Sequence, residues 1–323
     1  MNQETILEVQ NLKKYFEIHG GLRNKVVGHV KAVDDISFSV KRGETLGIVG
    51  ESGCGKSTAG RTILRLLEPT SGQVLFEGSD LAKKSREQMR KKRQEIQMVF
   101  QDPYSTLNPR LTIEEILAEP LRAHGLTDKA MIKNKVYEIL EVCGLSPEHA
   151  RRYSHEFSGG QRQRIGIARS LILQPKLVIA DEPVSALDVS IQSQILNLLQ
   201  ELQEKFSLTY LFISHDLSVI RHISNRVAVL YLGRLAELAS VDELYQDPLH
   251  PYTQALLSAV PLANPLAKRE RIILRGDVPS PANPPIGCAF ATRCPKVIEV
   301  CKTVRPETIL VSATHQVACH LYR

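Results

Sequence analysis

Residues 50–58, GESGCGKST, bring glycines, one lysine and several hydroxyls together directly after the apolar run TLGIV. Gly50, Gly53 and Gly55 let the backbone curve closely around an anion, so that successive N–H groups and the positive end of a following helix face it. Lys56 is spaced to reach the β- and γ-phosphates of a nucleotide, and Ser57 to bind Mg²⁺ through its hydroxyl. Thr58 supports the phosphate contacts from the next position. Glu51, Ser52 and Cys54 complete the loop, with Cys54 read as a small loop residue rather than a nucleophile.

A second constellation lies in LVIADEP, where an apolar run ends in Asp181 and Glu182. Parallel sheets form their sites at the carboxyl ends of strands. Asp181 is expected to hold Mg²⁺, usually through water. Glu182, one residue on, points elsewhere and is placed to polarise an attacking water. Phosphate loop and acidic pair together describe a nucleotide-hydrolysing site, but kinases, helicases and GTPases share both.

The elements that must position these groups are legible in outline. LEVQNLKKYF and AVDDISFSV alternate apolar and polar residues, as strands of a half-exposed antiparallel sheet do. Buried-strand runs follow at GETLGIVG, IQMVFQ, KLVIAD and TYLFISHD, separated by helical spacing in STAGRTILRLLE, SIQSQILNLLQELQEKF and LSVIRHIS. The expected fold is α/β, a P-loop NTPase core with a mainly parallel sheet covered by helices, an N-terminal antiparallel β subdomain and an inserted helical subdomain at about 103–165. Proline thickens in PSPANPPIG, so residues 1–260 are assigned to the nucleotide-binding domain and 261–323 to a small cysteine-containing extension.

HEFSGGQRQRIGIARSL offers a second anion-binding helix end, from the Ser158 hydroxyl and the Gly159 and Gly160 amides, with Gln161 following. This segment resembles the signature of the ATP-binding cassette (ABC) family, with Phe157 where leucine is usual. The resemblance implies that Ser158, Gly159, Gly160 and Gln161 close over ATP held by another subunit, with Asp188 of the SALD loop also reaching across. It assigns Gln101 of MVFQDP to Mg²⁺ and the attacking water, and His215 of ISHD to the γ-phosphate. An aromatic residue near the start stacks on adenine in this family; counting from Leu12 favours Phe16, with Tyr15 the alternative. Residues 102–110 are expected to receive a short cytoplasmic helix of a permease.

The end of the chain, DPLHPYTQALLSAVP and PSPANPPIGCAFATRCP, is similar to the C-terminal extension of ABC importers of oligopeptides, dipeptides and nickel, most of all to the F-type ATPases. This implies an ATP-hydrolysing subunit that powers peptide uptake by ATP-driven dimer closure. Its partners would be a distinct D-type ATPase in a heterodimer, two transmembrane permeases and an extracytoplasmic peptide-binding protein. Nickel or another small solute is the alternative cargo. Four of the six cysteines, Cys288, Cys294, Cys301 and Cys319, fall here with gaps of five, six and seventeen residues, which is not a CxxC zinc pattern. Four thiolates suit zinc or a 4Fe–4S cluster, and the resemblance favours the cluster. His315 and His320 stand as possible substitute ligands.

Composition bounds the rest. No run approaches the roughly 20 apolar residues of a spanning helix, and MNQETILEVQ lacks a secretory pattern, so the protein is expected to stay in the cytoplasm; the resemblance implies that it sits peripherally on the cytoplasmic face of the inner membrane. The formal charge of +6 is spread along the 323 residues. The dense run from Lys83 to Arg93 reads as a solvated helix face rather than a nucleic-acid contact. A soluble cassette ATPase of DNA repair or translation is the main rival reading, but such proteins commonly carry two cassettes or long insertions, which this sequence lacks. A kinase or GTPase would lack the SGGQ segment.

Overall fold

The computed structural model describes residues 4–20, 24–260 and 271–322, in two compact units. One unit comprises Met1–Val40, Thr45–Ala82 and Ser214–Arg323; the other comprises Lys41–Glu44 and Lys83–Ile213. The expected boundary at 260/261 abuts residues outside the described set. Compactness groups the described tail with the N-terminal strands and the phosphate loop.

In the first unit, Lys25–Lys41, Thr5–Gly20, Ser71–Phe76 and Ser79–Asp80 form a four-stranded sheet in that spatial order. Leu7 opposes Phe76 and Val9 opposes Val74, antiparallel, and the register shifts between Gln10 and Lys13. Alternation places Leu7, Val9, Val74 and Phe76 in the core, with Glu8, Gln10 and Leu75 between them only half-buried, while Ile6 is buried as well. The second sheet of this unit starts with Thr45–Val49, buried along its whole length and parallel to Arg226–Tyr231. Arg226–Tyr231 turns through Leu232 and Gly233, both at positive φ, into the antiparallel strand Arg234–Ser240. Two positive φ values in a two-residue loop match the twist of a hairpin. Tail strands then extend the ladder: Gln316–Val317 pairs with Arg234–Ser240 and Ile309–Leu310 with Gln316–Val317, both antiparallel.

The second unit holds three parallel strands, Ile96–Val99, Leu177–Asp181 and Thr209–Ile213, in register. Its helices start at readable caps. Thr112 and Glu115 form a capping box for Ile113–Ala123, and Asp128 caps Lys129–Val142. Ser158 caps Gly159–Leu171. Val189–Phe206 ends where Ser207 turns left-handed. The basic run forms Arg86–Lys92, capped by Ser85 and Gln88, with Met89 its buried residue and its charges in solvent. Among the described residues no helix is long and apolar enough to cross a membrane.

Candidate nucleotide site

The fully buried strand Thr45–Val49 delivers Gly50 to the start of the loop, and Gly55 caps the helix Lys56–Ile63. Two glycines are required by geometry. A Cβ on Gly50, at φ 154°, would stand 2.2 Å from the Leu230 carbonyl oxygen, and one on Gly55, at φ 100°, 2.0 Å from that of Ala32. Both neighbours are backbone and cannot yield. Lys56 is 4% exposed and donates to the Gly50 and Glu51 carbonyls at 2.8 and 3.0 Å. Folded back in this way, the ammonium is held at the mouth of a backbone cradle where a phosphate would compete for it. Cys54 is buried, and burial raises its thiol pKa, which keeps it protonated and inert.

Two contacts on Glu51 were not legible in the motif. Its amide donates to the Tyr252 hydroxyl at 2.9 Å, and its carboxylate accepts from both Nη atoms of Arg293, at 2.7 and 3.2 Å. No motif in the sequence specifies a partner 242 positions away.

The adjacent aromatics on the first strand diverge. The Tyr15 hydroxyl donates to Asp34, which also takes the guanidinium of Arg234 at 2.5 and 2.9 Å. Burial and that hydrogen bond raise the Tyr15 pKa to about 12. Phe16 is 38% exposed, with the Lys14 ammonium 4.9 Å from its ring centre.

In the second unit, Asp181 ends its strand 1% exposed. The next residue, Glu182, adopts φ 48°, and its amide donates to the Ile213 carbonyl at 2.9 Å. That left-handed step turns its carboxylate toward Gln101, whose Nε2 lies 3.1 Å from the Glu182 Oε2 and 3.4 Å from the Ser185 Oγ. Gln101, Glu182 and Ser185 thus form one polar cluster. Its amide, carboxylate and hydroxyl can fix a water molecule and accept a proton from it.

The Ser158 hydroxyl accepts from the Gln161 backbone amide at 3.3 Å, and the Gln161 side-chain Oε1 accepts from the Ser158 backbone amide at 3.1 Å. Ser158 is exposed, so this helix end opens to solvent and its hydroxyl proton remains free to donate. Phe157 is buried edge-on against His149, which explains why a bulky apolar side chain stands before the serine. A Cβ on Gly160 would meet the Ile191 side chain at 2.6 Å, so the glycine permits close packing on Val189–Phe206. Asp188 caps that helix without a side-chain hydrogen bond, leaving an exposed carboxylate. The loop after Gln101 is bound to the signature helix: Arg162 stacks 3.8 Å from the Tyr104 ring centre, and Arg169 donates to the Thr106 carbonyl at 2.5 Å.

His215, in the first unit, is exposed just before the helix Leu217–Ile223, which Asp216 caps.

The tail gathers its four cysteines. The Cys288 amide donates to the Cys301 carbonyl at 2.8 Å. Burial raises the thiol pKa values of Cys288, Cys294 and Cys319, and each of these thiols also senses the charge of other tail thiols. The side chains nevertheless do not form a ligand set. Among the described residues, no three or more His, Cys, Asp or Glu side chains are arranged to hold a metal ion. The substitute ligands are also engaged: the His315 Nε2 is 2.7 Å from Glu237, and the His320 Nε2 is 2.9 Å from the Val304 carbonyl.

Comparison with known proteins agrees with this geometry. Residues 33–185 match the ABC transporter model, and residues 236–301 match that of the oligopeptide/dipeptide transporter C-terminal region. The oligopeptide transport ATP-binding protein AppF of Bacillus subtilis is 62% identical over 99% of this chain and 98% of its own length. A putative peptide import ATP-binding protein of Brucella ovis is 52% identical over 99% of this chain and 98% of its own. Among solved structures, cbiO1 of Clostridium perfringens, part of the ABC transporter complex cbiONQ, matches with TM-score 0.65. It is 28% identical and the match covers 76% of this chain and 92% of that one. The cassette MJ0796, dimeric and bound to ADP and phosphate, matches with TM-score 0.64 and 28% identity over 73% of this chain and 98% of that one. With the phosphate cradle, the acidic strand end and the signature helix in place, the chain belongs to the ABC transporter ATPases that carry the oligopeptide/dipeptide transporter C-terminal region.

Proposed function

We propose that this chain is the ATP-hydrolysing subunit of a peptide importer. The observation that carries the chemistry is the hydrogen bond from Gln101 to Glu182, which places a carboxylate and an amide where one water can be oriented. Residues 50–58 hold the phosphates, and Phe16, whose ring is open, stacks on adenine while the Tyr15 hydroxyl is committed to Asp34. Ser57, Gln101 and Asp181 hold Mg²⁺, which when bound neutralises charge on the β- and γ-phosphates. Glu182 takes the proton of the attacking water, and His215 contacts the γ-phosphate. Ser158, Gly159, Gly160, Gln161 and Asp188 serve the nucleotide of a partner subunit, so that two ATP molecules close a dimer and hydrolysis reopens it.

The tail and the named relatives support peptide as cargo. The partners that follow are a D-type ATPase, two permeases and an extracytoplasmic peptide-binding protein, with this chain peripheral on the cytoplasmic face of the membrane. Residues 102–110, tied to the signature helix through Arg162 and Arg169, are the surface for the permease helix. The proposal extends to a 4Fe–4S cluster on Cys288, Cys294, Cys301 and Cys319, which the resemblance of the tail implies; because among the described residues they are not arranged as ligands, no step of hydrolysis is routed through it. Iron and sulfide analysis of anaerobically purified protein tests that extension.

Replacing Glu182 with Gln tests the core reading. Phosphate release should fall by about 10²-fold or more while ATP binding persists, because general-base catalysis is lost and the cradle is untouched. Turnover at the wild-type rate would refute the assignment.

A further inference from the structure

The phosphate loop is gripped from the C-terminal half of the chain at one residue. Glu51 donates its amide to Tyr252 and receives the Arg293 fork on its carboxylate, at 2.7 and 3.2 Å. Arg293 is only 9% exposed on its side chain. Three residues earlier, Phe290 inserts its ring among Tyr231, Tyr252 and His250, with centroid distances of 5.1, 5.3 and 5.7 Å. The Arg293 amide closes this turn on the Phe290 carbonyl at 3.0 Å. A buried aromatic anchor therefore fixes the base of the arginine, and the two-pronged carboxylate contact fixes its tip.

The charge arithmetic gives this contact a consequence. Glu51 is the second residue of a loop that must admit a triphosphate carrying several negative charges. An unpaired carboxylate there would oppose the nucleotide and would be free to turn toward Lys56, its natural competitor for phosphate. Paired with Arg293, it is neutralised and its carboxylate is held in place.

We propose that Arg293 is a positioning residue for ATP: the tail, through this one guanidinium, holds Glu51 out of the phosphate cradle and so sets nucleotide affinity. Cys294 is the next residue, which places the four-thiol region directly behind the contact. Any change there that shifts the turn 290–294 is transmitted to the loop. The inference rests on ATP occupying residues 50–58.

The experiment uses the full chain, with the fluorescent analogue mant-ATP and Mg²⁺ as probe and steady-state hydrolysis alongside. Arg293→Gln should weaken binding by about tenfold, the scale of losing a charge-assisted contact. Turnover at saturating ATP should stay within about twofold, since Glu182 and Gln101 do not touch the contact. Arg293→Lys, which keeps the charge and loses the fork, should cost about threefold. The deciding variant is Arg293→Gln combined with Glu51→Gln. Removing the stranded carboxylate should restore affinity to within about twofold of wild type if neutralisation is what Arg293 supplies.

Unchanged affinity in both single variants overturns the inference. So does a double variant that folds, by circular dichroism and thermal melting, yet binds as weakly as Arg293→Gln; Arg293 would then only dock the tail. Lys56→Ala separates the two levels. Failure of the wild type to bind the probe, or binding indifferent to Lys56→Ala, removes the ATP reading itself. Loss with Lys56→Ala but indifference to Arg293 removes only this proposal.

Discussion

Phe290→Ala should loosen the tail segment 288–304 without unfolding the rest of the first unit. The ring is 1% exposed and touches three other rings at 5.1 to 5.7 Å. Its apolar surface contributes about 3 kcal/mol at about 25 cal/mol per Å². Aromatic geometry and the cavity left by truncation bring the expected cost to about 4 kcal/mol. The end of the tail keeps its own ties, through His315 to Glu237, Ser312 and Thr314 to Glu243 and Tyr322 to the Leu249 carbonyl, so the loss falls on the segment around Phe290. The tail's strand pairing onto Arg234–Ser240 amounts to two registered pairs, Glu237 with Val317 and Leu238 with Gln316. Near Phe290 the further ties include the Arg293 fork, Lys296 to the Gln254 side chain at 3.1 Å, and the contacts of Arg305 with the Asp34 carbonyl at 3.2 Å and the Asp35 carboxylate at 3.3 Å. Hydrogen exchange read by mass spectrometry should therefore show peptides spanning 288–304 losing protection by up to ~10³-fold, while the strands Thr45–Val49 and Leu177–Asp181 keep theirs. Uniform loss across both units would mean that the tail is inseparable from the global fold. No loss at all would mean that the aromatic cluster is not its anchor. Either result refutes the reasoning.

Two further expectations concern charge. Ser158→Arg should abolish hydrolysis while leaving mant-ATP binding at the phosphate loop of the same chain intact, if, as proposed, the exposed signature end serves a partner's nucleotide; equal loss of binding would contradict that division. His250, buried with its Nδ1 accepting from the Tyr252 amide at 3.1 Å, is held neutral, and burial lowers its pKa to about 4. The unfolded chain protonates this residue near its ordinary value of 6.5. Stability is therefore full above that pH and falls as pH drops toward about 4, by up to about 3 kcal/mol. Urea midpoints should fall across this window in the wild type and fall less in His250→Asn; identical slopes would count against His250 as the source.

What could be read from the sequence was what is local. Residues 50–58, the Asp181–Glu182 step and the Ser158–Gln161 cap each lie within a few consecutive positions, and their chemistry follows from spacing. Buried strands such as Thr45–Val49 and Thr209–Ile213 announced themselves by unbroken apolar runs. The tail did not. Its strands Ile309–Leu310 and Gln316–Val317 are too short for periodicity to register, and the edge they join is 78 residues from His315 to Glu237 along the chain. The reading of 261–323 as an appendage followed from proline density, which reports irregular backbone but says nothing about where that backbone packs. The hairpin of Arg226–Tyr231 and Arg234–Ser240 passed without notice because it carries no chemistry of its own. Glu237 illustrates the same limit: a fully buried carboxylate takes the Leu249 and His250 amides at 2.7 and 2.9 Å as well as His315, an arrangement no local pattern encodes.

The tight seat of Gly160 against Ile191 makes the signature helix and Val189–Phe206 behave as meshed gear teeth rather than as two neighbours. Ser185 lies just before the second of these helices and reaches the Gln101 amide. Gln192 donates to the Val184 and Leu187 carbonyls at 3.0 and 2.9 Å, which stiffens the link between them. In the proposed dimer, a push delivered at Ser158 would be passed along these contacts to the Gln101 amide as displacement rather than lost as slack. The two pockets of a dimer built from such chains would keep time with each other by mechanical gearing, with no messenger passing between them.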